Sequence, residues 1–258
     1  MTRKLIMLGL SLLMAVSCLS ANTKAKDYTV KVLQTYRHDP SAYTQGLFFW
    51  NGGFYETTGQ FGQSSLRKVD LATGKVLQKK DFNRKYFGEG SCIVGNKLYI
   101  LTWTNKVAFV YDPDTFEYSK TLAYPREGWG LAALPKADGK AVMVASDGSS
   151  NLYFLDENLQ TVKTLKVSFN GRPVKLLNEL ECIGGKIWAN VYTTDLIVII
   201  DPKTGNVEGR VDCSNLIPQN KRTPDMDVLN GIAQDKDGNI YLTGKNWPSL
   251  FRVKLEER

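Results

Sequence analysis

Histidine is almost missing from this chain: His38 is the only one in 258 residues. A multi-histidine metal site is therefore excluded, and a Ser-His-Asp triad would have to use that one residue. Cysteine is scarce as well. Of the four, Cys18 lies in an N-terminal apolar segment, which leaves Cys92, Cys182 and Cys213. Three thiols cannot all pair, and none has C-x-x-C spacing, which argues against a zinc ribbon or a redox pair. Cys92 and Cys182 sit inside apolar runs and read as small buried hydrophobes, with one disulfide left open. Clustered charge is lacking too. The formal net charge is +7, but lysines and arginines are scattered, so no nucleic-acid face is expected, only weak attraction to anionic surfaces. A monomer without cofactor or metal is expected.

Long hydrophobic runs are absent beyond the first residues. Arg3 and Lys4 precede the apolar stretch Leu5 to Val16, followed by Ser17-Cys18-Leu19-Ser20-Ala21. This pattern predicts a secretory signal over residues 1–22, too short for a stable membrane anchor. Ala15-Val16-Ser17-Cys18 also resembles a bacterial lipobox, so cleavage and lipidation at Cys18 both stand. Either route exports the protein to the periplasm or cell exterior, with membrane contact only through such a lipid.

What the chain has in plenty is a repeated unit. Strand openings align at Gln45-Gly46-Leu47, Glu89-Gly90-Ser91, Trp129-Gly130-Leu131, Asn178-Glu179-Leu180 and Asn230-Gly231-Ile232. Each is followed by a hairpin turn, from Asn51-Gly52-Gly53 in the first unit to Asp237-Gly238-Asn239 in the last. Gly and Asn adopt the positive φ that tight reversals need. Third strands end on Asp70, Asp112, Asp156 and Asp201 ahead of turn residues, and fourth strands follow. The last copy runs out after three strands, whereas Tyr28–Tyr36 is a strand without a hairpin. Four strands recurring about every 40–50 residues predict an all-β, five-bladed β-propeller over residues 27–258. The orphan strand should close it by pairing with Leu250–Leu255.

In a propeller the first strand of each blade lines the central channel, so Gln45, Glu89, Trp129, Asn178 and Asn230 should converge on one mouth. Tyr43 and Phe87 each lie two residues before an opener, and Trp103 ends a second strand. Aromatics around one carboxylate would desolvate Glu89 and raise its pKa toward a range useful for proton transfer.

At these residues a family resemblance emerges. Tyr43-Thr44-Gln45-Gly46-Leu47, Tyr86-Phe87-Gly88-Glu89-Gly90, Leu101-Thr102-Trp103, Glu127-Gly128-Trp129-Gly130-Leu131, Leu177-Asn178-Glu179-Leu180-Glu181, Trp188-Ala189-Asn190-Val191-Tyr192 and Thr243-Gly244-Lys245-Asn246-Trp247-Pro248 resemble plant-type glutaminyl-peptide cyclotransferases. The resemblance runs from about Val30 to Lys254. It implies conversion of N-terminal glutamine of peptides or proteins to pyroglutamate, with release of ammonia. It further implies that Glu89 transfers protons and that Gln45, Trp103, Trp129, Asn178 and Lys245 line the pocket; the tetrahedral intermediate of such a reaction carries an oxyanion, for which Asn178 and Lys245 are the two candidate stabilisers. Tyr192 stands where tryptophan is common in that family, which bears on the breadth of the pocket. Two other readings remain: a non-catalytic exported propeller binding peptide or glycan, and a calcium-dependent propeller hydrolase. The latter needs several carboxylates or carbonyl-bearing residues converging on one ion, and only Glu89 among the openers is acidic.

Overall fold

A computed structural model describes residues 25–258; the signal segment and Cys18 lie outside the described residues. The architecture is all-β and propeller-like. After β1 (Lys26–Arg37), the first unit comprises β2 (Thr44–Trp50), β3 (Gly53–Thr58), β4 (Ser65–Val69) and β5 (Val76–Asp81). The second is β6 (Gly88–Val94), β7 (Lys97–Thr102), β8 (Val107–Tyr111) and β9 (Tyr118–Ala123). The third is β10 (Leu131–Pro135), β11 (Ala141–Ala145), β12 (Asn151–Leu155) and β13 (Thr161–Lys166). A short hairpin, β14 (Ser168–Phe169) and β15 (Arg172–Pro173), follows without a counterpart in the sequence pattern. Next come β16 (Leu177–Ile183), β17 (Lys186–Val191), β18 (Leu196–Ile200) and β19 (Val207–Asp212), then β20 (Leu229–Gln234), β21 (Ile240–Gly244) and β22 (Ser249–Glu257). The one helical element among the described residues is a 3-10 turn at Gln219–Lys221.

The first three units are separate four-stranded meanders. The orphan strand β1 pairs antiparallel with β22 from Tyr28 to Arg37, as expected. It also pairs parallel with β19 over Lys26–Thr29, which fuses the last strands into one eight-stranded sheet. Nothing in the hairpin pattern foretells that second pairing, because it joins strands far apart in sequence.

Within each unit burial falls from inside to outside. β2 and β6 are almost wholly buried, while β5, β9 and β13 are mostly exposed. Lysines such as Lys79, Lys120 and Lys163 decorate the outer strands and discourage edge-to-edge pairing. The first strands touch in cyclic order, β2 to β6, β6 to β10, β10 to β16, β16 to β20 and β20 back to β2. Each neighbouring pair of units encloses its own apolar core. Phe48, Tyr55 and Leu98 pack between the first two, for example, and Leu47, Phe54 and Tyr241 between the last and the first. The aspartates ending the third strands brace their turns as expected: Asp112 Oδ1 accepts the Thr115 N–H at 2.8 Å and Asp201 Oδ1 the Lys203 N–H at 2.7 Å. Cys92, Cys182 and Cys213 are free thiols.

Candidate active site

The opening residues sit where their strands leave regular pairing. Register breaks between Thr44 and Gly46, Gly88 and Ser91, Leu177 and Leu180, and Leu229 and Ile232. Such a bulge re-aims a side chain that would otherwise lie against a sheet face. The glycine after Glu89 serves the same geometry: a Cβ on Gly90 would collide with the backbone of Trp129 and Leu131, and the Gly90 N–H donates to Trp129 O at 2.7 Å. In the fourth unit Glu179 replaces glycine, and its carboxyl accepts the backbone N–H groups of Leu47 and Ile232 at 3.3 and 2.9 Å. It acts as a strut across the ring of inner strands.

Residues ending the second strands form a second tier. Trp103 N–H donates to Phe87 O, Tyr192 N–H to Leu176 O and Lys245 N–H to Val228 O, so these three side chains occupy equivalent places in their units.

Tyr43, Gln45, Phe87, Glu89, Trp103, Trp129, Asn178, Tyr192 and Lys245 all line one cavity of about 330 Å³, together with Gln60 and Phe61. That volume lies near the lower end of the range for small-ligand pockets, roughly 300–1,000 Å³. The exception among the openers is Asn230. It is not among the lining residues; it is fully buried, and its amide donates to Thr44 O at 2.8 Å and to Gln45 Oε1 at 3.2 Å. The expectation that Asn230 faces the mouth is therefore corrected: its side chain holds Gln45 instead of meeting a ligand.

Glu89 is buried at the base of this cavity, and its carboxyl makes no hydrogen bond among the described residues. Burial pushes its carboxyl well above the ordinary carboxylate range; Lys245 opposes this and Glu127 adds to it. Burial lowers the Lys245 ammonium from its usual value, against the pull of Glu89 and Asp227. The Lys245 Nζ lies 4.8 Å from the Tyr43 ring centroid and 4.7 Å from that of Tyr192. Asn178 is buried, and its Oδ1 has no hydrogen-bond partner among the described residues. A carboxyl, an ammonium and an amide therefore converge with capacity to spare for a ligand.

Aromatic rings wall the space edge to face. Phe87 meets Trp103 at 5.5 Å and Tyr43 at 6.1 Å, and Trp129 meets Tyr192 at 5.6 Å. Glu127 fixes two of these walls: its Oε2 accepts the indole N–H of Trp103 at 2.9 Å and of Trp129 at 3.2 Å. Sequence reasoning singled out neither Glu127, Gln60, Phe61 nor Asp227, which lies beside Tyr43. A signal for Gln60 and Phe61 existed, since they follow Gly59, whose N–H bonds Tyr43 O as that of Trp103 bonds Phe87 O. His38 is remote in role: both ring nitrogens are engaged, Nδ1 with Trp247 O at 2.6 Å and Nε2 with Glu56 at 2.8 Å. A larger concavity of about 460 Å³ is edged by Asp27, Arg210, Asp212 and Arg258, whose charges pair with one another. It offers no comparable chemistry.

Comparison with known proteins bears on this cavity. A family model described as glutamine cyclotransferase matches residues 5–255. A glutaminyl-peptide cyclotransferase of Arabidopsis thaliana is 41% identical over 238 residues, 88% of this chain and 72% of that protein. The crystal structure of Myxococcus xanthus glutaminyl cyclase aligns with a TM-score of 0.82 at 35% identity, over 91% of this chain and 100% of that one. A streptogramin B lyase structure aligns at a TM-score of 0.50 and 8% identity, over 86% of this chain and 98% of that one, a likeness of fold alone.

Proposed function

The chain belongs to the glutamine cyclotransferase family and is a glutaminyl-peptide cyclotransferase, and on that premise we propose that Glu89 carries the proton transfers that close the ring, in a five-bladed propeller and without a metal. The observation that carries this reading is a buried carboxyl with no hydrogen-bond partner among the described residues, walled by aromatics and set electrostatically against Lys245. The blade count rests on the cyclic contact of the first strands.

The substrate's own α-amine attacks the carboxamide carbon of its side chain. Both reactants are tethered, so the protein's task is to hold the folded-back rotamer, which closely spaced rings do by excluding extended ones. The free α-amine has a pKa of about 7.7–8.0 and is mostly protonated at neutral pH. Glu89 takes that proton. Burial raises the carboxyl from its ordinary value, which narrows the gap between it and the amine and so favours general acid-base catalysis. The amine nitrogen then bonds to the carbonyl carbon, giving a tetrahedral intermediate whose oxyanion Asn178 or Lys245 stabilises. Glu89 returns the proton to the departing nitrogen as the C–N bond breaks, and the ring nitrogen gives its remaining extra proton to the released ammonia, leaving the lactam and ammonium. No covalent enzyme intermediate forms.

Among the described residues no group of three or more His, Cys, Asp or Glu is placed to hold a metal ion. The proposal includes export by the leader over residues 1–22, with Cys18 either lipidated or removed. Incubation with a glutaminyl peptide, with and without a chelator, tests the reading. Loss of one ammonia from the peptide mass at equal rates is expected, and turnover abolished by chelator would refute the metal-free mechanism.

A further inference from the structure

The cavity is not equally closed on all sides. Gln45, Phe87, Glu89, Asn178 and Lys245 are buried, whereas Trp103 is 37% and Phe61 51% exposed. The open side is therefore the Phe61–Trp103 side, and a peptide whose first residue occupies the cavity must leave past these two rings. Their centroids are 6.5 Å apart, and Phe61 also meets Phe87 edge to face at 5.4 Å. Phe61 thus continues the aromatic wall outward while keeping half its surface uncovered.

Its position is firmly set. Gln60 and Gly62 on either side have φ of 81° and 79°. The Gln60 carbonyl accepts the N–H groups of Gln63 and Ser64 at 3.1 and 2.9 Å and the Ser64 hydroxyl at 2.7 Å. The Ser64 oxygen in turn accepts the Gly88 N–H at 2.9 Å, which ties this turn to the strand carrying Glu89. An exposed ring that the backbone holds in one place costs little entropy when a ligand covers it. Charge at the same mouth is of both signs: the exposed Glu127 carboxylate caps both indoles, and the Arg84 guanidinium lies beside Gly62.

We propose that Phe61 and the outer edge of Trp103 form the subsite for the residue that follows the glutamine, favouring aromatic or apolar side chains. The inference rests on the cyclotransferase reading, since it takes the glutamine to lie inside the cavity.

The test uses Gln-Phe, Gln-Leu and Gln-Ala amides, bound at equilibrium to the Glu89→Gln protein by titration calorimetry, with and without Phe61→Ala. An aromatic contact of this kind corresponds to about 3- to 10-fold in affinity. Gln-Phe amide should bind tighter than Gln-Ala amide by about that factor, with Gln-Leu amide between them. Phe61→Ala should bring Gln-Phe and Gln-Ala amides within about twofold of each other, and Phe61→Leu should give an intermediate ratio. Equal binding of Gln-Phe and Gln-Ala amides, or a preference that Phe61→Ala leaves unchanged, overturns the proposal. Ammonia release by the wild-type chain is scored separately. Its absence for all three peptides would overturn the cyclotransferase reading, while the binding ratios would still decide the subsite.

Discussion

Replacing Glu89 by glutamine keeps the shape at the base of the cavity and removes the exchangeable proton. General acid-base catalysis by one positioned group contributes about 10²–10⁴-fold, or about 3–5.5 kcal/mol of barrier at 1.36 kcal/mol per decade. Glu89→Gln should therefore lower kcat by that factor with a smaller effect on KM, because the aromatic walls remain. Stability should move the other way. The folded state holds this carboxyl well above 4.5, so it binds the proton more tightly than the unfolded chain does. Between 4.5 and the folded pKa, rising pH therefore erodes wild-type stability, and the cost stays in place above it. Glu89→Gln removes that cost, so its Tm should exceed wild type at neutral pH and converge with it below about pH 4.5. The assays are coupled ammonia release and thermal melts across pH. A variant retaining kcat within about threefold of wild type would return Glu89 to a structural role, and a melt below wild type at pH 7 would refute the electrostatic account.

Glu127→Gln removes a like charge that pushes the Glu89 carboxyl up, so the acid limb of kcat/KM should shift to lower pH; a limb that does not move would remove Glu127 from the electrostatics of the site. Glu127→Ala also frees both indoles and should raise KM and alter tryptophan fluorescence, and an unchanged spectrum would argue against the clamp. Lys245→Met should shift the same limb upward and lower kcat, whereas unchanged kinetics would dismiss the lysine from the site. Burial works against the His38 imidazolium, but Glu56 and the Trp247 carbonyl more than offset it and raise its pKa; Glu56, also buried, is held below its usual range chiefly by His38. The His38 contribution is thus complete below about pH 6.5 and fades as pH rises through its raised value, and that of Glu56 is present above about 4.5 and fades as pH falls through its lowered one. His38→Gln should cost about 3–5 kcal/mol, measured by denaturant melts near pH 6, and a loss under about 1 kcal/mol would contradict a buried ion pair. Glu179→Ala should destabilise by about 1–3 kcal/mol for each backbone N–H left without an acceptor, and Glu179→Gln should lose one of the two contacts, because its amide keeps one acceptor oxygen and turns an NH2 toward the other N–H.

The strand pattern was open to reading because hairpin chemistry is local. Asn51-Gly52, Gly95-Asn96 and Asp237-Gly238 declare their turns by residue type, and Asp70, Asp112, Asp156 and Asp201 brace the next ones. Repetition then placed Gln45, Glu89, Trp129 and Asn178 at equivalent positions, and motif resemblance added Lys245 and Tyr192. All of these line one cavity. What depends on contact between units could not be read this way. Asn230 has the same register as Glu89, yet its amide turns down to hold Gln45. Glu127 is an unremarkable acid in sequence and becomes a clamp only because two indoles from different units meet it.

Sequence by itself determined the four-strand rhythm, the position of each repeated hairpin turn and the identity of the one acidic opener, because those follow from backbone preferences and side-chain chemistry over a few residues. Tertiary structure alone decided that the acid is buried beside Lys245 and that β1 bridges two units. It also left the cavity open on the side of Phe61, since desolvation and convergence are properties of strands brought together from far along the chain.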